Sequence, residues 1–272
     1  MTRKTRLFAF AVMTAISFSL ASCKKDNTLM YGNTTMGNFV GDKFISDQGN
    51  EFTIVENTTG EDFWGYERAI MQCDVLNKTE GVENGYDVRV SYVRSVLTKA
   101  PITPEVAAAD PEKIINDPIM IEYAWVSGGY LNLYVRTEIQ YSPKLENNKH
   151  LVNLIYEKSE TGKYTLTLRH NAYGETLAGK ESEDNGKYYG QVQMQSEEII
   201  QWVVAGNYVS FQLSDLITEE EAELTINWVE HVTDTFGNWL SGVTSKTGTL
   251  TYSKTQFEQV PLKLTTKTIV LE

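Results

Sequence analysis

From residue 37 onward, apolar and polar residues alternate with a period of two in short runs, a pattern that strands satisfy and helices do not. Ala222, Leu224, Ile226 and Trp228 alternate with Glu223, Thr225 and Asn227. Leu131, Leu133 and Val135 alternate with Asn132, Tyr134 and Arg136; Tyr164, Leu166 and Leu168 alternate with Thr165, Thr167 and Arg169; Val209, Phe211 and Leu213 form another set. Each run offers one face to a core and one to water. Turn residues separate the runs at Ser127-Gly128-Gly129, Thr161-Gly162, Asn185-Gly186, Gly206-Asn207 and Gly237-Asn238. About seven or eight strands over 118–272 predict an immunoglobulin-like β-sandwich. The exception is Ser196–Val203, where Ser196 followed by Glu197 and Glu198 predicts a short capped helix.

Residues 37–100 carry a second set of strands. Asn38–Ile45 and Glu51–Glu56 flank the turn Asp47-Gln48-Gly49-Asn50, and Glu67–Leu76 follows. In Asp87–Thr98, Val88, Val90 and Tyr92 share one face, and Asn84-Gly85 supplies a type I′ turn before it. Four or five short strands in this length predict a small barrel of the oligonucleotide/oligosaccharide-binding (OB) type. Between the two sets, Pro101, Pro104, Pro111 and Pro118 enclose Val106-Ala107-Ala108-Ala109, enough for one helical turn. Proline withholds a ladder donor, so residues 101–117 read as a linker between barrel and sandwich. The fold class is all-β: a small OB-like barrel followed by an immunoglobulin-like β-sandwich.

The first residues are an address. Arg3, Lys4 and Arg6 precede an uncharged stretch from Leu7 to Leu20, too short to span a bilayer comfortably, and Leu20-Ala21-Ser22-Cys23 reads as a lipobox. Residues 1–22 are then a signal peptide, Cys23 the lipidation site, and residues 23–36 a polar tether. The membrane is thus a partner through the lipid on Cys23, in the cell envelope and by expectation in the outer membrane. Removing Arg3, Lys4 and Arg6 takes the net charge from −12 to −15, unsuited to nucleic acid, whose phosphates need basic neutralisation. Cys73 is then the one remaining thiol; in its apolar run it reads as a small buried hydrophobe.

Three stretches are distinctive: Trp125-Val126-Ser127-Gly128-Gly129-Tyr130-Leu131-Asn132-Leu133, His150-Leu151-Val152-Asn153-Leu154, and Leu168-Arg169-His170-Asn171-Ala172-Tyr173. Their order resembles the NigD-like lipoproteins of the Bacteroides group. The resemblance implies a lipobox signal, an N-terminal OB-like domain and a C-terminal β-sandwich opened by a W-x-G/S-x-G-Y-L-N hairpin. It implies no catalytic residues; the family name reflects an association with a bacteriocin operon. Trp125 and Tyr130, flanking the glycine turn, are expected to pair across strands. His170 has core-face parity and reads as a hydrogen-bonded structural histidine. Arg169-His170-Asn171 forms a polar latch at a strand end, with Asn171 suited to an Asx-turn.

Catalytic patterns are missing from the sequence. His150, His170 and His231 have no short metal-ligand spacing, and neither H-E-x-x-H nor G-x-S-x-G occurs. No metal or cofactor is expected. Glu219-Glu220-Glu221 and the group Glu181, Glu183 and Asp184 read as solvated charge. The expectation is a non-enzymatic binding module for a glycan, peptide or protein, with Trp64 and Tyr66 as candidate contacts. The alternatives are a structural or adhesive module and an envelope-polymer hydrolase.

Overall fold

The computed structural model describes residues 34–141, 150–174, 192–195, 198–233, 239–254 and 263–265. The signal peptide, Cys23, the tether as far as residue 33, the acids Glu181, Glu183 and Asp184, and the turns Asn185-Gly186 and Gly237-Asn238 lie outside these residues.

The first strands are β1 (Thr34–Val40), β2 (Lys43–Ser46), β3 (Glu51–Asn57), β4 (Arg68–Lys78) and β5 (Gly85–Ser95). They close a barrel in the order β1-β2-β3-β5-β4, with β4 returning to β1 and β3 running parallel to β5. Phe44, Phe52, Ala69, Met71, Cys73, Val88 and Val90 fill it, and the β3–β4 connection adds Phe63. Gly37 is required at the β1–β2 contact, because a Cβ there would lie 2.1 Å from the Ile45 carbonyl oxygen. Burial pushes the Cys73 thiol up to about 11, so it is an inert core group.

Four sequence expectations differ here. The barrel starts at Thr34, and Thr35 and Met36 are buried, so the ordered fold begins inside the stretch read as tether. The run Asn38–Ile45 breaks at Gly41 (φ 63°) into β1 and β2. Within β5 a bulge beside Gln72 and Cys73 shifts the parity after Val90: Val93 turns inward and Tyr92 outward. The positive φ before β5 falls at Gly81, whereas Gly85 is small because it packs on Val82.

The segment read as a linker is bound along the sandwich. β6 (Leu97–Lys99) pairs in parallel with a long sandwich strand, and Ile102 and Asn116 form bridges to Ile155 and His170. Two of its prolines start helical turns: Pro104 opens α1 (Pro104–Ala108), capped by Thr103, and Pro111 opens a 3-10 turn capped by Asp110.

The sandwich comprises β7 (Met120–Ser127), β8 (Tyr130–Tyr141), β9 (Leu151–Glu160), β10 (Lys163–Asn171), β11 (Val192–Gln195), β12 (Glu198–Gln212), β13 (Glu221–Thr233), β14 (Trp239–Ser253) and β15 (Lys263–Thr265). One sheet runs β11-β12-β8-β7 with β6 added to β12; the other runs β15-β14-β13-β10-β9. All the alternating apolar sets named above enter one core. β10 and β13 pair in parallel, which a purely antiparallel sandwich lacks.

Two local expectations fail. The residues from Glu198 to Val203 extend as strand within β12, paired to β8 and β11. Their β-branched and aromatic content and the tertiary ladder outweigh the local cap signal. Gly206-Asn207 lies inside β12 rather than at a turn. Gly206 makes room for a tyrosine, because a Cβ there would come within 2.0 Å of the Tyr134 hydroxyl.

Candidate functional site

The family-like hairpin leads to the most organised polar cluster in the described residues, and that cluster joins the two β units. Gly128 and Gly129 take φ of 58° and 82°, forming the two-residue turn between β7 and β8. A Cβ on Gly128 would lie 2.5 Å from the Asp47 carboxylate, so this glycine also admits the barrel. Register places Trp125 opposite Asn132 and Ser127 opposite Tyr130, so Trp125 and Tyr130 are not cross-strand partners.

Ser127 Oγ donates to Asp47 Oδ2 at 2.6 Å and accepts from Trp125 Nε1 at 3.1 Å and Asn132 Nδ2 at 3.0 Å. Asn132 Oδ1 accepts from Ser210 Oγ at 2.7 Å and from Arg68 Nη2 at 2.9 Å. Arg68 uses all five N–H groups: Nε on Ser210, Nη1 on Asn38 and Asp47, Nη2 on Asp47 and Asn132. Its guanidinium carbon lies 4.1 Å from the centre of the Tyr130 ring. Around this node Met36, Ile70, Val96, Trp125 and half-buried Tyr208 make a small apolar cluster. Barrel and sandwich thus share a fully buried ion pair and a Trp anchor. The node's ionic and hydroxyl groups face one another, so its chemistry is cohesion.

Sequence reading missed Arg68, Asp47, Asn38 and Ser210. Asp47 carried only a turn signal, and nothing local marks an arginine for complete burial. Glu138 and His231, 3.0 Å apart and both buried, form another pair that no motif announces. Glu219 is not simply solvated: it accepts from Lys158, from the Tyr164 hydroxyl and from the Gly162 backbone, pinning the β9–β10 turn.

His170 is buried between the linker and β9. Its Nδ1 lies 3.0 Å from the Pro118 carbonyl oxygen and its Nε2 lies 2.9 Å from His150 Nδ1. Asp117 N–H donates to the His170 carbonyl and the Asp117 carboxylate accepts from Ala172 N–H; Asn171 Oδ1 accepts from Tyr173 N–H. The polar latch therefore holds the linker's end to β10. Burial, and then the proximity of His150, bring the His170 imidazole down to about 4. An unfolded histidine titrates near 6.5, so between roughly pH 6.5 and 4 the unfolded chain holds a proton that the folded one refuses. Stability contributed by neutral His170 is present above pH 6.5 and is lost as the pH falls towards 4, by about 3 kcal/mol in all. Denaturant melts between pH 7.5 and 4.5 should show this slope, and His170→Gln should flatten it. Equal slopes in the two proteins would contradict the assignment.

Of the candidate contacts, Trp64 is 45% exposed and Tyr66 is half-buried against the barrel core, while Phe63, which precedes Trp64, is buried in that core. The Trp64 ring lies 5.8 Å from that of Phe39 and 5.5 Å from that of Phe63. Its backbone N–H donates to Asp62 Oδ1, which fixes the loop. The two candidate aromatics therefore have different surroundings: Trp64 meets solvent on an aromatic base, while Tyr66 packs as wall. Among the described residues no three His, Cys, Asp or Glu side chains gather as a metal site.

Residues 100–184 match the family described as the NigD-like C-terminal beta sandwich domain. No curated protein matches the chain. Among solved structures, a toxin-related protein from Parabacteroides distasonis is 20% identical, with 81% of this chain and 91% of that one covered at a TM-score of 0.50. A NigD-like immunity protein from Bacteroides caccae is 16% identical, covering 76% and 88% at 0.50. A protein described as a lipoprotein, from Bacteroides fragilis, is 14% identical, covering 82% and 99% at 0.50. These likenesses concern the fold, and the hairpin motif that carried the sequence resemblance lies inside the matched segment. The chain is a barrel-plus-sandwich protein whose residues 100–184 match the NigD-like C-terminal beta sandwich domain.

Proposed function

We propose that this protein is a non-enzymatic lipoprotein of the cell envelope, anchored in the outer membrane through Cys23, that binds a glycan, peptide or protein partner with its barrel. The observation that carries this reading is Trp64, exposed on the fixed aromatic base of Phe39 and Phe63. An indole held this way offers a large contact area at small entropic cost. The family hairpin is already engaged in joining the two units, which leaves recognition to surfaces outside it. OB-type barrels bind polymers along strands 2–3 and the adjoining loops, and Trp64 neighbours the β1–β2 turn. The family's association with a bacteriocin operon adds a toxin to the candidate partners.

A screen of residues 24–272 against glycans, peptides and cell-wall fractions tests the reading. The binding found should be abolished by Trp64→Ala, with unchanged melting. Binding indifferent to Trp64 would overturn it. For the anchor, metabolic labelling with a fatty acid should mark the wild-type protein and not Cys23→Ala, which should leave the membrane fraction or accumulate as precursor. Equal labelling of both would refute lipidation at Cys23.

A further inference from the structure

We propose that the Trp64 end of the barrel receives a cationic amphipathic peptide segment. This rests on the binding-module reading and names the class of partner. Val40 is 60% exposed at the end of β1, beside half-buried Phe39, whose ring meets that of Trp64. The Phe39 and Trp64 rings make an apolar surface between the end of β1 and the β3–β4 loop, while Val40, next along the strand, faces the other side with Lys43.

Four exposed carboxylates belong to the β1–β2 turn and the β3–β4 loop: Asp42, Glu61, Asp62 and Glu67. The Phe39 N–H donates to the Glu67 carbonyl, and Asp62 accepts from Trp64 N–H, so Glu67 and Asp62 border the aromatic pair directly. The basic residues nearest in sequence are already engaged. Lys43 pairs with Glu51, and Arg68 is buried on Asp47. Asp42 lies near enough to Lys43 to act on it, but among the described residues Glu61, Asp62 and Glu67 form no salt bridge, so the charge of these three around the apolar surface is uncompensated.

Uncompensated carboxylates repel an anionic lipid surface or a nucleic acid, and a neutral glycan meets them only as hydrogen-bond acceptors, without the attraction of opposite charge. A Lys- or Arg-bearing segment with apolar residues uses every part of the surface. Its cations meet the carboxylates and the indole face, and its apolar side chains cover Phe39 and the edge of Trp64.

The test measures binding of the full chain, in neutral detergent, to a labelled twelve-residue Lys/Leu peptide. The comparison probes are a Glu/Leu peptide of equal length, anionic vesicles and an uncharged oligosaccharide. The Lys/Leu peptide should bind at low salt, and raised salt should weaken it at least tenfold. Trp64→Ala, and separately the triple change Glu61→Gln, Asp62→Asn, Glu67→Gln, should each weaken it at least tenfold with unchanged melting. An equal charge change on the sandwich, Glu157→Gln, Glu160→Gln and Glu223→Gln, should weaken it less than twofold. Equal effects of the two triples would show diffuse attraction only and overturn the site, as would equal binding of the Glu/Leu peptide or of the vesicles. If the oligosaccharide binds through Trp64 and the Lys/Leu peptide does not, the binding-module reading stands and the cationic partner falls. If no probe senses Trp64, both fall.

Discussion

Arg68→Ala is expected to destabilise the protein by about 3–5 kcal/mol, the usual cost of removing one member of a buried ion pair. The change leaves the Asp47 carboxylate, which is buried, facing Ser127 alone, and it strips one donor each from Asn38, Asn132 and Ser210. A stability of roughly 5–15 kcal/mol is typical for a domain, so a loss of this size is a large share of it. The damage should concentrate at the junction. Calorimetry of the wild-type protein should show barrel and sandwich unfolding together, and the variant should melt earlier with the two units separated. Replacing Arg68 and Asp47 together by apolar residues of similar volume should restore much of the stability, because it removes the orphaned charge along with the pair. An Arg68→Ala protein within 1 kcal/mol of wild type would show that the ion pair is dispensable.

Trp125→Ala should cost about 3–5 kcal/mol, the range for truncating a buried aromatic. Trp125 is buried, but its partners are Met36, Ile70 and Val96 from the barrel side and Tyr208, whose ring is 6.4 Å away at 81°. The cavity left behind would therefore open between the units rather than inside the sandwich. Its indole N–H also donates to Ser127, so truncation loosens the hydroxyl that holds Asp47. Trp125→Phe keeps most of the area and loses the donor, and should cost clearly less. Denaturant melts of the two variants check the order; a Trp125→Phe protein as unstable as Trp125→Ala would shift the weight from packing to the hydrogen bond.

The alternation of apolar residues made the sandwich legible because a period of two is a local signal, and a residue that faces a core states its parity within three or four positions. Leu131, Leu166, Phe211 and Ile226 all enter the core as that parity requires. Glycine was less readable. Gly206 looks like a turn residue, yet it sits in mid-strand to admit the Tyr134 hydroxyl, a demand set by a residue on another strand. The prolines of 101–117 were read as interrupting structure, whereas Pro104 and Pro111 begin helical turns on a segment tied to the sandwich. The node was out of reach for the same reason on a larger scale. Arg68 meets Asp47, Asn132 and Ser210 across 21, 64 and 142 residues of chain, and no local pattern carries such a meeting. The hairpin motif was visible as a resemblance, and its purpose emerged only once the barrel lay against it.

That purpose, joining the two units, is tested most directly by a double-mutant cycle between Arg68 on the barrel and Asn132 on the hairpin, whose side chains are 2.9 Å apart. Arg68→Met, Asn132→Ala and the double variant are compared with wild type by denaturant melts. A coupling energy of about 1–3 kcal/mol is predicted, since members of one buried network are not additive. Effects that add to within about 0.5 kcal/mol would contradict the account, because the hairpin and the barrel would then be stabilised independently.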